Sequence, residues 1–282
     1  MADAPISEQY LRTLWDDLVS NKLTLPSLPD IATRIDALMR KDDVDSRQLA
    51  NELRRDPAIA VQVVRMANNA AYRGNQAVNE LRTAIMRIGL PGTRNLVRGL
   101  ALKQMFASQS SVLQARLRGV WAHSLEVAAT AQLLSARLHK LEPDAALLAG
   151  LVHQIGVLPL LRQLENNPEI QRSTQAIDHV LERLGRQAGQ MVLSSWGFPP
   201  SLTEVPAQVG LFDRSHAGAA DYVDLVNVAI LALDVHYEGV NASIDRSRVP
   251  AYTALGLDPA VNQFAQPGFA AAYEELLAAL TS

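Results

Sequence analysis

The chain has 282 residues, 48% of them apolar and 20% charged, with a formal net charge of −3 and no cysteine. This composition supports a sizeable core in one large or two medium domains, and it excludes disulfides, thiolate nucleophiles, iron–sulfur clusters and cysteine-ligated zinc. The weakly acidic balance argues against nucleic acid as a partner; the lack of an uncharged apolar run of about 18 residues, and of a basic-then-apolar leader in Met1 to Tyr10, argues for a cytoplasmic protein that does not insert into membranes.

Helical spacing governs the chain, and convincing period-2 strands are absent. In Pro29 to Met39, the residues Ile31, Ile35 and Leu38 recur at i, i+4 and i+7, which predicts one amphipathic helix. Ser46 is the expected N-cap of a helix through Leu49, Ala50 and Leu53. Asp56-Pro57 then supplies a cap and a first-turn proline for a helix through Ile59, Val63 and Met66, ending near Asn68-Asn69. Further helices are predicted over Asn79 to Ile88, Thr93 to Ser108, Val112 to Leu138, Pro143 to His153, Ile177 to Trp196 and Tyr222 to Tyr237. Gly89-Leu90-Pro91-Gly92 should break two of them, and Gly197-Phe198-Pro199-Pro200 should stop another. Near the end, Asp258-Pro259 is expected to start a short helix, and Pro267-Gly268 precedes one over Phe269 to Leu280.

Charge is uneven along the chain. From Leu81 to Arg118 there is no Asp or Glu, and Arg87, Arg94 and Arg98 are placed so that one cationic face could bind an acidic partner or a phosphorylated ligand. The plainer alternative is that they pair with Glu52, Asp56 or Glu80, or stay solvated. Met66, Met86, Met105 and Met191 read as core filler, and Trp121 and Trp196 as packing residues.

Several blocks occur in order: Leu25-Pro26-Ser27-Leu28-Pro29, Arg55-Asp56-Pro57, Val64 through Asn68-Asn69-Ala70-Ala71-Tyr72, Trp121-Ala122-His123-Ser124, Gly150-Leu151-Val152-His153-Gln154-Ile155-Gly156 and Leu193-Ser194-Ser195-Trp196-Gly197-Phe198-Pro199. Together, over roughly Leu23 to Val209, they resemble the HDOD domain, a bacterial signalling relative of the HD phosphohydrolases. The resemblance implies an all-α, two-lobed multi-helix bundle. An N-terminal helical extension would occupy residues 1–22, an N-terminal helical lobe 23–112, and an HD-like lobe 113–216. The C-terminal helices, 217–282, would pack on the HD-like lobe, with the main boundary near Ser108 to Gln114.

In the HD phosphohydrolases a His, a distant His-Asp pair and a later Asp hold the metals that activate water. By resemblance His123 matches the first His and His153 the second, but Gln154 stands where the pair would have its Asp, and Ile230 where the final Asp would fall. An amide carbonyl neither neutralises a divalent cation nor bridges two of them. The resemblance therefore implies a vestigial pocket at His123, His153 and Gln154, with no metal, no cofactor and no catalytic residue. The implied role is a non-catalytic adaptor that binds a signalling protein, of the diguanylate cyclase, sensor kinase or response regulator class, in cyclic-dinucleotide, two-component or motility control. The alternatives are a phosphohydrolase or phosphodiesterase with unusual ligands, and a cyclic-dinucleotide sensor that clamps phosphates with Arg87, Arg94 and Arg98.

Overall fold

The computed structural model describes residues 8–20, 22, 24–69, 71–72, 74, 76–165 and 173–281. Expectations resting on Met1 to Ser7, Leu23 and Ala70 lie outside those residues. Among the described residues there are helices and turns and no strand, so the all-α expectation holds.

The chain forms two compact units, each assembled from separated stretches. One comprises Met1–Ser27, Gln104–Ser124 and Val152–Val209, and the other Leu28–Lys103, Leu125–Leu151 and Gly210–Ser282. The C-terminal helices share a unit with Leu28–Lys103 and with Leu125–Leu151, the latter part of the expected HD-like lobe, whereas His123 and His153 belong to the other unit. A sequence-contiguous boundary could not capture this, because the long helix Ser111–Leu138 contributes its first half to one unit and its second half to the other.

With α1 (Glu8–Val19) lying in the first unit, the second unit begins with five helices: α2 (Asp30–Met39), α3 (Ser46–Leu53), α4 (Pro57–Ala67), α5 (Leu81–Ile88) and α6 (Leu90–Leu102). The cap of α3 is Asp45 and not Ser46: its carboxylate accepts from Gln48 N at 2.8 Å while the Gln48 side chain returns to Asp45 N at 3.0 Å. This reciprocal arrangement satisfies two otherwise orphaned donors and displaces the expected cap by one residue. Only Gly89, at φ +85°, breaks the chain between α5 and α6; Leu90, Pro91 and Gly92 already form the first turn of α6. A proline there loses no helical hydrogen bond, which is why a predicted breaker became a start. After Leu102 the chain tightens into a 3-10 turn, Lys103–Met105.

The same unit takes the second half of α7 (Ser111–Leu138), α8 (Pro143–Val152) as far as Leu151, α12 (Tyr222–Tyr237), α13 (Pro250–Leu255) and α14 (Phe269–Thr281). Asp258-Pro259 makes a turn with Ala260 N donating to the Asp258 carboxylate at 2.9 Å, and starts no helix. The α12 helix is buried nearly all round, and α14 lies against α4. Met86, on α5, is 59% exposed and fills no core, unlike the fully buried Met66.

The first unit holds α1, the first half of α7, α9 (Val157–Leu164), α10 (Thr174–Ser195) and α11 (Pro200–Gln208). Leu11, Leu14 and Leu18 seat α1 in this unit, where it meets α10. By composition Pro143–Leu164 could cross a membrane, yet 83% of its apolar window is buried in the fold, as in the core helix of a globular protein.

Candidate functional site

The first unit contains an open cavity of about 810 Å³. One wall is α7, whose Arg116, Gly119, Val120 and His123 recur at i, i+3, i+4 and i+7 and so share a face. The adjoining face of the same helix buries Leu113, Leu117 and Trp121, with the Trp121 ring 5.0 Å from Phe106. That anchorage fixes the rotation of α7 and aims His123 into the cavity. A second wall is α10, started by Ser173, whose hydroxyl accepts from Ala176 N at 3.1 Å. It contributes Ile177, Leu181 and Gly185 at helical spacing.

The floor comes from the turn between α8 and α9. His153 is 2% exposed and Gln154 half-buried, and the His123 and His153 rings meet edge to face with centroids 5.5 Å apart. The signature around them owes its glycines to packing. A Cβ on Gly156 would fall 2.0 Å from the Gly185 carbonyl oxygen, so only glycine lets this turn touch α10. In the second unit, a Cβ on Gly150 would fall 2.4 Å from Ala128 Cα where α8 meets α7. Both positions require glycine with or without a metal.

The structure brings His123, His153 and Gln154 to one cavity. Two carboxylates also line it, Asp178 and Glu182, both exposed on α10. Asp178 is ion-paired with Arg116, whose own pKa is lowered by burial. Beside the exposed Glu182, the donors that remain are two imidazoles and one amide; a single solvated carboxylate with these neutral groups does not fit a dinuclear divalent centre, which needs anionic oxygen to neutralise and bridge the ions. Ile230 is buried on α12 in the other unit and is not among the cavity-lining residues.

Among the described residues, the one His and carboxylate group with ligand atoms close together is His216, Asp221 and Asp224, within 4.8 Å of one another. Sequence reading missed it. Arg214 already occupies it, donating to Asp224 at 2.9 Å and to Asp221 at 2.5 Å, while His216 Nε2 lies 2.8 Å from Asp224. Asp221 also caps α12. The group fastens the segment before α12 to the start of that helix, and Asp224 raises the His216 pKa above its ordinary value.

The three arginines do not form the expected open clamp. Arg98 is 8% exposed and forms a bidentate pair with Asp36, Nε to Oδ1 at 2.9 Å and Nη2 to Oδ2 at 2.8 Å. Arg87 donates to the Ala67 carbonyl at 3.1 Å and the Gln76 carbonyl at 2.7 Å, closing the C-terminus of α4. Arg94 is half-buried, its pKa lowered by burial and by Arg98. The partners suggested from sequence were acidic residues elsewhere in the chain, for instance Glu52, Asp56 or Glu80; Arg98 does pair with a carboxylate, that of Asp36 on α2, whereas Arg87 takes two backbone carbonyls.

Other motif residues are likewise structural. Asn68 bridges to Val78 through both its amide and carbonyl, at 2.7 and 2.8 Å. The Tyr72 hydroxyl bonds Asp144 and accepts from Gln132 at 2.8 Å, and burial pushes the Asp144 carboxyl above its ordinary pKa. In the first unit, Trp196 Nε1 donates to the Pro26 carbonyl at 2.8 Å, joining the first and last blocks of the sequence signature.

The sequence profile of the HDOD domain matches residues 25–209. The chain belongs to the HDOD domain family. Among solved structures, this HDOD chain is similar to a Shewanella amazonensis SB2B protein named as a candidate metal-dependent phosphohydrolase, with 26% identity, a TM-score of 0.86, and 96% of this chain and 98% of the other covered. It shares its fold with an HDOD domain protein of unknown function from Geobacter sulfurreducens, at 20% identity and a TM-score of 0.67 over 98% of this chain and 99% of that one. A candidate signal transduction protein from Marinobacter aquaeolei VT8 is 21% identical with a TM-score of 0.62, covering 100% of this chain and 68% of that one. No curated protein matches this HDOD chain.

Proposed function

We propose that this HDOD chain is a cytoplasmic regulatory protein of bacterial signal transduction that acts by binding another signalling protein, without catalysis. The observation that carries this reading is the cavity itself: His123 and His153 line it with Gln154, and the acidic side chains that line it are an arginine-paired Asp178 and a solvated Glu182. A fold kept with its histidines in place and its bridging anion replaced by an amide suits recognition better than hydrolysis. The partner classes that fit are a sensor kinase, a response regulator or a diguanylate cyclase, in two-component, cyclic-dinucleotide or motility control.

Affinity capture from the native host with identification by mass spectrometry tests the reading. A member of one of those classes should be recovered in stoichiometric amounts, and recovery of none above background would count against it. The second reading is phosphohydrolysis, favoured by the name of the 26%-identical relative. It requires bound metal and turnover, both of which Gln154 disfavours.

A further inference from the structure

We infer that the cavity beneath His123 and His153 is a binding site for a small organic anion, with an oxyanion head and an apolar body, held without metal. The inference rests on the non-catalytic reading and adds a ligand to it. The cavity's 810 Å³ lies in the range of small-molecule pockets, far beyond the need of a lone ion or a few waters. Its apolar lining comes from Val120, Val157, Ile177, Leu181 and Pro206, which would cover a hydrocarbon or aromatic body.

Charge selects the head. Of the two carboxylates, Asp178 is neutralised by Arg116, and Glu182 is exposed to water. Of the two cations, Arg186 is half-buried and, among the described residues, makes no ion pair or hydrogen bond. A half-buried guanidinium held in no ion pair, beside two imidazoles and an amide able to donate hydrogen bonds, suits an oxyanion.

The walls are also kept clear. Gly119 on α7 and Gly185 on α10 both line the cavity, and a Cβ built on either would meet no atom within 4 Å. Glycine in a helix interior costs about 1 kcal/mol relative to alanine. At neither position does a neighbour occupy the space a side chain would take, in contrast to Gly156. Small residues at both positions leave room for an occupant.

The test is a fluorescence titration of the whole chain with 1-anilinonaphthalene-8-sulfonate in buffer containing EDTA. One saturable site is expected, with the probe displaced by octanoate or octyl phosphate and not by octylamine; which of the two acids competes better tells a carboxylate ligand from a phosphate one. Gly185→Leu should weaken binding about tenfold or more while leaving the melting temperature in place, because the added side chain fills open space. Gly119→Leu, on the other wall, does the same and serves should Gly185→Leu fail to fold. Arg186→Gln should erase the preference for acid over amine. Probe binding that survives both folded leucine variants, or equal competition by octylamine, overturns the inference. Either failure leaves the non-catalytic reading standing, since that reading fails only on turnover or on the absence of a partner.

Discussion

Replacing Asp36 with alanine should be among the most damaging single changes available in the second unit. Asp36 and Arg98 have side chains 9% and 10% exposed, and the guanidinium spends two donors on the carboxylate. Removing the carboxylate leaves a buried cation uncompensated, and Arg94 aggravates the loss because Arg98 repels it and Asp36 attracts it. Breaking one side of such a pair costs about 3–5 kcal/mol, whereas an exposed pair is worth about 1 kcal/mol or less. Arg98→Leu should cost less, since Arg94 still faces Asp36. The double variant Asp36→Leu/Arg98→Met should recover most of the loss, because it removes both charges and keeps the volume. Urea denaturation followed by far-UV circular dichroism measures all three. A cost under about 1 kcal/mol for Asp36→Ala would refute the reasoning, as it would place the pair energetically at the surface.

Gly156→Ala should destabilise the first unit by about 1–3 kcal/mol or more, because the new methyl meets the Gly185 carbonyl at 2.0 Å; a thermal melt indistinguishable from the parent would contradict the packing account of the signature glycines. The raised pKa of His216 means that its protonated form stabilises the folded state: the contribution is complete below about pH 6.5, the unfolded value, and is lost as pH rises through the higher folded value. Melting temperatures of the parent and His216→Gln should therefore differ most at low pH and converge at high pH, and a gap that widens with pH would reverse the assignment. Gln154→Asp should strengthen Mn²⁺ binding at least about tenfold by calorimetry, since it returns an anionic oxygen to the two imidazoles; an unchanged affinity would mean that the amide is not what weakens the site.

Much of the helical order is legible in the sequence because long amphipathic stretches carry their own period. Tyr222–Tyr237 is read at its true ends, and Ser111–Leu138 within one residue. The helices missed, Val157–Leu164, Pro200–Gln208 and Pro250–Leu255, are short, and each holds or starts with a proline that reads as a stop until its place in the first turn is known. His123, His153 and Gln154 are legible as one site through their motif blocks. The partners of Arg87 and Arg98 are not, because backbone carbonyls leave no trace in residue type and Asp36 lies 62 positions from Arg98. The division into units escapes sequence reading for a similar reason: nothing in the composition of one continuous helix announces that its halves serve different cores.

The central claim, that the His123 and His153 cavity cannot assemble a catalytic metal centre, is tested most directly by metal analysis of the chain purified without chelator, paired with a turnover assay on phosphodiesters, cyclic dinucleotides included, in excess Mn²⁺. The account predicts far less than one metal per chain and no turnover above the uncatalysed rate. Two tightly held metals per chain, with turnover abolished by His153→Ala, would contradict it.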